Sequence, residues 1–177
     1  MTLGLGDGEV ELVPHSAAWA TAGRIEGDRL RVALRRWTRR VEHVGSTSVP
    51  GLPAKPVIDL CVGVAELRAA DEMVEVMASL GYDYPGDVGI PDDRVFGREP
   101  GWRTHLVHVV VEGGPAWRAY LGFRDALRSD AVLRDEYAAL KHRLALDHVG
   151  DRFAYTQRKS EFVARALSGG ASPDSAP

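Results

Sequence analysis

One carboxylate, Asp59, stands inside the apolar run V-I-D-L-C-V-G-V at 57–64, shortly after the polar segment Gly45, Ser46, Thr47, Ser48. An ionised Asp in a buried strand is costly unless something there needs its charge. If the run is a strand, its side chains alternate. Ile58, Leu60 and Val62 then form a core face, while Val57, Asp59, Cys61 and Gly63 form the face that would carry a site. The 45–48 segment offers hydroxyls and backbone N–H groups in a turn, which is what a phosphate needs from a protein surface. It is not a Walker loop, because Lys55 is followed by Pro56 rather than by Ser or Thr.

Other residues could serve the same chemistry. Glu42 is a candidate second metal ligand beside Asp59, and His43 or His108 a candidate general base. Strand alternation sets Glu42 opposite His43, so only one of them can face the site. His105 and His108 likewise point to opposite faces and cannot chelate together. If His108 shares a face with Asp59, a His43–Asp59–His108 set would favour a transition metal over Mg²⁺, with a plain His–Asp hydrogen bond as the simpler alternative. For phosphate charge the candidates are Lys55, Arg98, Arg103, Arg124, Lys141 and Lys159. Arg124 lies seven residues from Trp117 on the apolar stripe of a helix, where it needs a partner: either a ligand or a structural carboxylate. Tyr155, Lys159 and Phe162 are spaced to share one helix face, from which Lys159 could equally snorkel to water.

The elements that must position these groups follow from periodicity. A short strand is expected at 9–13, and a helix at 17–37 behind Ser16, with a basic end of Arg35, Arg36, Arg39 and Arg40 that answers the helix dipole. A second helix is expected at 66–80 before Gly81, and a loop-rich stretch at 82–102 holding one strand at 94–98. A strand follows at 104–111. Three helices close the chain, at 115–128 behind Pro115, at 131–148, and after a cap at Asp151. Strands first and helices afterwards predict an α+β domain over 1–168, with a small mixed sheet and C-terminal helices packed mainly on one face. The small, polar 169–177 tail is expected to be disordered.

Composition narrows the partners. The 177 residues carry 22 Lys plus Arg against 25 Asp plus Glu, a net charge of −3, which argues against a nonspecific nucleic-acid or anionic-membrane binder. The single cysteine, Cys61, excludes an internal disulfide. No stretch approaches the roughly 20 apolar residues of a membrane span, and the first residues lack a signal-peptide pattern. A cytoplasmic protein is expected.

An apolar residue, Gly45, Ser46, a spacer and then Asp59 between apolar neighbours is similar to the nucleotidyltransferase pattern h-G-[GS] followed by D-h-[DE]-h. More specifically, E-H-V-G-S-T-S-V-P-G-L-P-A-K-P-V-I-D at 42–59 closely resembles the GrpB-like family. So do V-E-L-V-P at 10–14 with Trp19, R-T-H at 103–105 with H-V-V at 108–110, Tyr137 through Lys141, and Asp151, Arg152, Tyr155, Thr156, Lys159 and Phe162. The resemblance implies a sheet of nucleotidyltransferase type. It also implies transfer of a nucleotidyl group from a nucleoside triphosphate to a small-molecule acceptor, with Mg²⁺ or another divalent metal on Asp59. Cys61 departs from that pattern, standing where a second acid would. A non-catalytic module for a nucleotide or phosphorylated cofactor is the alternative. Relatives fused to dephospho-coenzyme A kinase suggest that such a cofactor is related to coenzyme A. A His/Asp metal enzyme of other chemistry is a third reading.

Overall fold

The computed structural model describes residues 3–6, 9, 11–84, 92–147 and 152–169, the last helix in backbone alone at 152–158 and 169. The elements are β1 (Leu5–Gly6), α1 (Ala18–Ala33), β2 (Arg40–Val44), a single 3-10 turn (Ser46–Ser48), β3 (Ile58–Val64), α2 (Ala69–Ser79), β4 (Tyr82–Asp83), β5 (Arg94–Arg98), β6 (Trp102–Arg103), β7 (His105–Val111), α3 (Pro115–Ser129), α4 (Ala131–Asp147) and α5 (Arg152–Gly169). Five strands form a mixed sheet in the order β2-β3-β7-β5-β4, and β1 pairs with β6 apart from it. Among the described residues β3 and β7 form that sheet's one parallel pair, which puts Asp59 beside Leu106 and Cys61 beside His108. Both strands lie in the sheet interior, which is why their sequences are near-continuous β-branched and apolar runs.

Alternation along β3 gives the sheet two unlike faces. Ile58, Leu60 and Val62, with Val107, Val109 and Phe96, pack against Trp19, Leu30 and Leu34 of the α1 region and Met73 and Met77 of α2. The opposite face, with Val44, Cys61 and Val110, meets Trp117 of α3. A third cluster joins Val49 and Leu52, just past the 3-10 turn, to Leu127, Tyr137 and Phe162 of the C-terminal helices. That cluster fixes the turn against α3, α4 and α5. The sheet is therefore mixed, as expected for an α+β fold, with the C-terminal helices on the Asp59 face and α1 and α2 on the other.

Several local expectations shift. Of the strand expected at 9–13, Val13 alone among the described residues bridges, to Ala54. Pro14 lacks the N–H that would extend a ladder. The first helix ends at Ala33, with the Trp37 and Thr38 amides turning back onto the Leu34 carbonyl. Short strands β4 and β6 appear within 82–102, where the sequence marks only 94–98. The Asp151 cap and, beyond Gly169, the tail lie outside the described residues. Among the described residues no helix is long and apolar enough to cross a membrane.

Candidate functional site

The site is built where β2 turns into β3. Val44 pairs with Asp59 across the antiparallel ladder, so the turn that follows Val44 lies at the level of the carboxylate. Gly45 has φ +67°, a left-handed conformation that residues with a Cβ rarely adopt, and a Cβ there would overlap Asp59 Oδ2. Glycine thus lets the carboxylate rest on the turn's backbone. Asp59 keeps 28% of its side chain exposed.

The hydroxyls of the turn divide their work. Ser48 Oγ donates to the Gly45 carbonyl at 2.6 Å, and Thr47, 2% exposed, has Oγ1 at 3.0 Å from His43 Nε2. Arg128 donates to the Ser48 carbonyl at 2.7 and 3.1 Å. Those two side chains build the turn. Ser46 lies beside the Tyr137 phenol on the helical side, where burial raises the phenol's pKa, the Ser46 hydroxyl lowers it and the Asp59 carboxylate raises it.

Behind Tyr137 sits Lys141, only 1% exposed, its Nζ donating to the Pro53 carbonyl and lying 5.0 Å from the Tyr137 ring centroid. Among the described residues no carboxylate forms an ion pair with it. Burial, then the neighbouring charge of Lys159, pulls its ammonium down to about 7. Lys159 is half-buried on α5, and the Tyr155 side chain lies outside the described residues.

On the other side of Asp59, His108 Nε2 stands 4.0 Å from Oδ1. Its Nδ1 is 2.8 Å from Asp93 Oδ2, which also accepts the Tyr120 hydroxyl at 2.6 Å. Burial opposes charge on this imidazole, but the hydrogen bond and charge of Asp93, with Asp59 beyond, hold its pKa above the ordinary value.

The remaining candidates are placed elsewhere. His43 pairs in register with Leu60 and so lies on the opposite face from Asp59, where its ring packs on α1 over Gly23. The His43–Asp59–His108 set does not assemble. Burial, then Arg128, Arg124 and His105, lowers the His43 pKa to about 4. Glu42 does share the Asp59 face, but it accepts from Arg124 Nη1 at 3.1 Å, which also donates to the His43 carbonyl. Arg124 therefore has the structural carboxylate that its place on the stripe demands. Arg103 holds Asp83 in a two-pronged pair, with Nη2 to Oδ2 at 2.8 Å. Arg98 serves Glu26 on the far face, and His105 pairs in register with it there. Lys55 is half-buried on the segment leading into β3. The face read from alternation as a site is closed beyond Asp59, because Cys61 is fully buried and Trp117 lies over Gly63.

These donors do not fit a carboxylate cage for a hard divalent cation. Among the described residues no three His, Cys, Asp or Glu side chains converge as metal ligands. Glu42 is engaged by Arg124, and burial, then the charges of Asp93 and Glu42, pushes the Cys61 thiol up to about 12. Sequence reasoning missed Asp93, Tyr120 and Tyr137 as members of the site. Tyr137 carries a signal in its spacing from Lys141, and Asp93 carries none beyond its place in an acidic, Gly- and Pro-rich stretch.

Comparison with known proteins agrees with this geometry at the level of fold. A solved GrpB from Enterococcus faecalis is 30% identical and superposes with a TM-score of 0.80, covering 92% of this chain and all of that one. The Cid1 poly(U) polymerase with MgGTP bound, 18% identical, superposes at 0.52 over 73% of this chain and 43% of its own, and so shares the nucleotidyltransferase-type fold. The glutamate-rich protein GrpB of Alkalihalophilus pseudofirmus is 33% identical over 94% of this chain and 98% of its own length. YqkA of Bacillus subtilis is 35% identical, and a dephospho-CoA kinase of Mycolicibacterium paratuberculosis 33%. The chain covers 46% and 45% of them, so it spans about half the length of these two relatives. The family model described as GrpB protein matches residues 9–168, and the chain belongs to that family.

Proposed function

We propose that the chain binds a nucleoside triphosphate, or a phosphorylated small molecule of similar charge, with its phosphates between Ser46 and the Tyr137–Lys141–Lys159 side of the C-terminal helices. The observation that carries this reading is Lys141. A fully buried ammonium without an acid partner costs several kcal/mol by desolvation, about as much as a bound anion would return. The Pro53 carbonyl and the Tyr137 ring answer part of that cost but supply no full negative charge, whereas an incoming phosphate supplies its counter-charge.

The test is a calorimetric titration of ATP in two buffers of different ionisation enthalpy at about pH 8, one unit above the lowered lysine pKa. Lys141 is mostly neutral there in the free protein and charged beside phosphate, so binding should take up close to one proton. Uptake should vanish in Lys141→Met. ATP binding without proton uptake would remove Lys141 from the site. GTP, CTP, UTP and dephospho-coenzyme A in parallel would rank the ligand, the last because a relative is named for its kinase.

A second reading, nucleotidyl transfer, draws on a different observation: Asp59 and His108 face each other at the end of the same turn. An acceptor hydroxyl or amine would form a bond to the α-phosphorus as the bond to the β-phosphate oxygen breaks. Its proton would pass to His108 Nε2 and pyrophosphate would leave. Pyrophosphate release with a panel of aminoglycosides, nucleosides and small alcohols, with and without Mg²⁺, tests it. Turnover lost in Asp59→Asn with ATP binding retained would support it, whereas no turnover with any acceptor would leave the binding role alone.

A further inference from the structure

Asp93 is 1% exposed and sits just before β5, whose pairing of Val95 with His108 brings it to the edge of the site. One of its oxygens, Oδ2, receives both His108 Nδ1 at 2.8 Å and the Tyr120 hydroxyl at 2.6 Å. The other, Oδ1, is buried with no hydrogen-bond partner among the described residues. A structural carboxylate would be expected to satisfy both oxygens. This one spends its acceptor capacity on a single ring nitrogen and the phenol that braces it. The His108 and Tyr120 rings lie 4.8 Å apart, so the imidazole is held on one side by the tyrosine and behind by the acid.

We infer that Asp93 is a positioning residue, holding His108 as the Nδ1–H tautomer with Nε2 turned toward Asp59, where a ligand hydroxyl or amine would be received. A carboxylate only accepts, so the 2.8 Å contact at Nδ1 places the proton there. The Tyr120 oxygen, 2.9 Å from the same nitrogen, gives its own proton to Asp93 at 2.6 Å and can only accept from Nδ1, which leaves the Nε2 lone pair outward. The 4.0 Å between Nε2 and Asp59 Oδ1 is too long for a direct hydrogen bond. A donor group of the ligand can therefore bridge the two, giving its proton to Nε2. The second part of this inference rests on the proposed ligand site, whereas the tautomer does not.

The experiment is ¹⁵N NMR of the full chain labelled at histidine, at about pH 9, where imidazole is neutral. The wild type should show a protonated Nδ1 and a bare Nε2 for His108, and Asp93→Asn should swap or mix the two. An unchanged pattern in a folded Asp93→Asn protein would overturn the inference. Should that variant fail to fold, Tyr120→Phe decides. It leaves Asp93 to His108 alone, so the Nδ1–H form should persist with its proton shifted further downfield. A switch to Nε2–H in Tyr120→Phe would assign the tautomer to the tyrosine and overturn the role of Asp93. ATP titrated into the same samples reads the phosphate site separately, since Lys141 and Ser46 are untouched. Loss of ATP binding in the wild type would sink the proposed function and leave the tautomer result standing.

Discussion

Glu26 and Lys141 are both buried charged side chains, one on each side of the sheet, and the fold treats them in opposite ways. On the α1 face Glu26, 5% exposed, accepts from Arg29 at 3.0 Å, from the Tyr82 hydroxyl at 3.0 Å and from Arg98 at 3.3 Å. Each of these charges has an answer inside the fold. Lys141, under the Ser46 turn, has a carbonyl and an aromatic ring but no acid among the described residues. The contrast separates a charge kept for architecture from a charge kept for something that arrives, because burial is tolerated in the first case by pairing and in the second only by a lowered pKa.

Three measurements would break or sharpen that contrast. A large loss of stability at neutral pH is expected for Glu26→Ala, which strands Arg98 and the Tyr82 hydroxyl. It should cost about 3 kcal/mol in denaturant unfolding and leave ATP affinity unchanged. Lys141→Met should do the reverse, weakening ATP at least tenfold while raising stability by about 1 kcal/mol, since a buried amine with no acid partner among the described residues is replaced by a side chain of similar shape. Equal destabilisation by both variants would erase the distinction. The last measurement concerns His43, whose pKa is about 4 in the folded protein against 6.5 ordinarily. The unfolded chain binds more protons between these values, so stability should fall as pH drops from about 6.5 to about 4 and be flat in this respect above that window. Thermal melts of His43→Gln across the same range should show a shallower slope.

Much of the frame is legible in the sequence because it is set by local periodicity. The run at 57–64 becomes β3, and the pattern at 94–98 becomes β5 with those bounds. Alternation correctly separates Glu42 from His43 but cannot say which faces Asp59. That is decided by the pairing of Val44 with Asp59, a register the turn imposes and no propensity encodes. The buried stripe position of Arg124 announces a partner, and only the approach of β2 to α3 identifies it as Glu42. Asp93 is illegible for the same reason in stronger form. It reaches His108 through an antiparallel pairing of strands that the chain brings together only after folding. Cys61 is the converse case, for its position beside Asp59 suggests a site member until the packing of α3 seals it.

The contact between the Gly45 backbone and the Asp59 carboxylate ties two distant positions into one evolutionary and engineering unit. Any residue larger than glycine at 45 must evict the acid, so a library varied at 45 alone will record intolerance that belongs to 59. A compensating Asp59→Gly would make room for alanine at 45, although the strained backbone there would keep part of the cost, and would restore folding rather than ligand handling. Screens for stability and screens for function should therefore disagree most sharply at this pair.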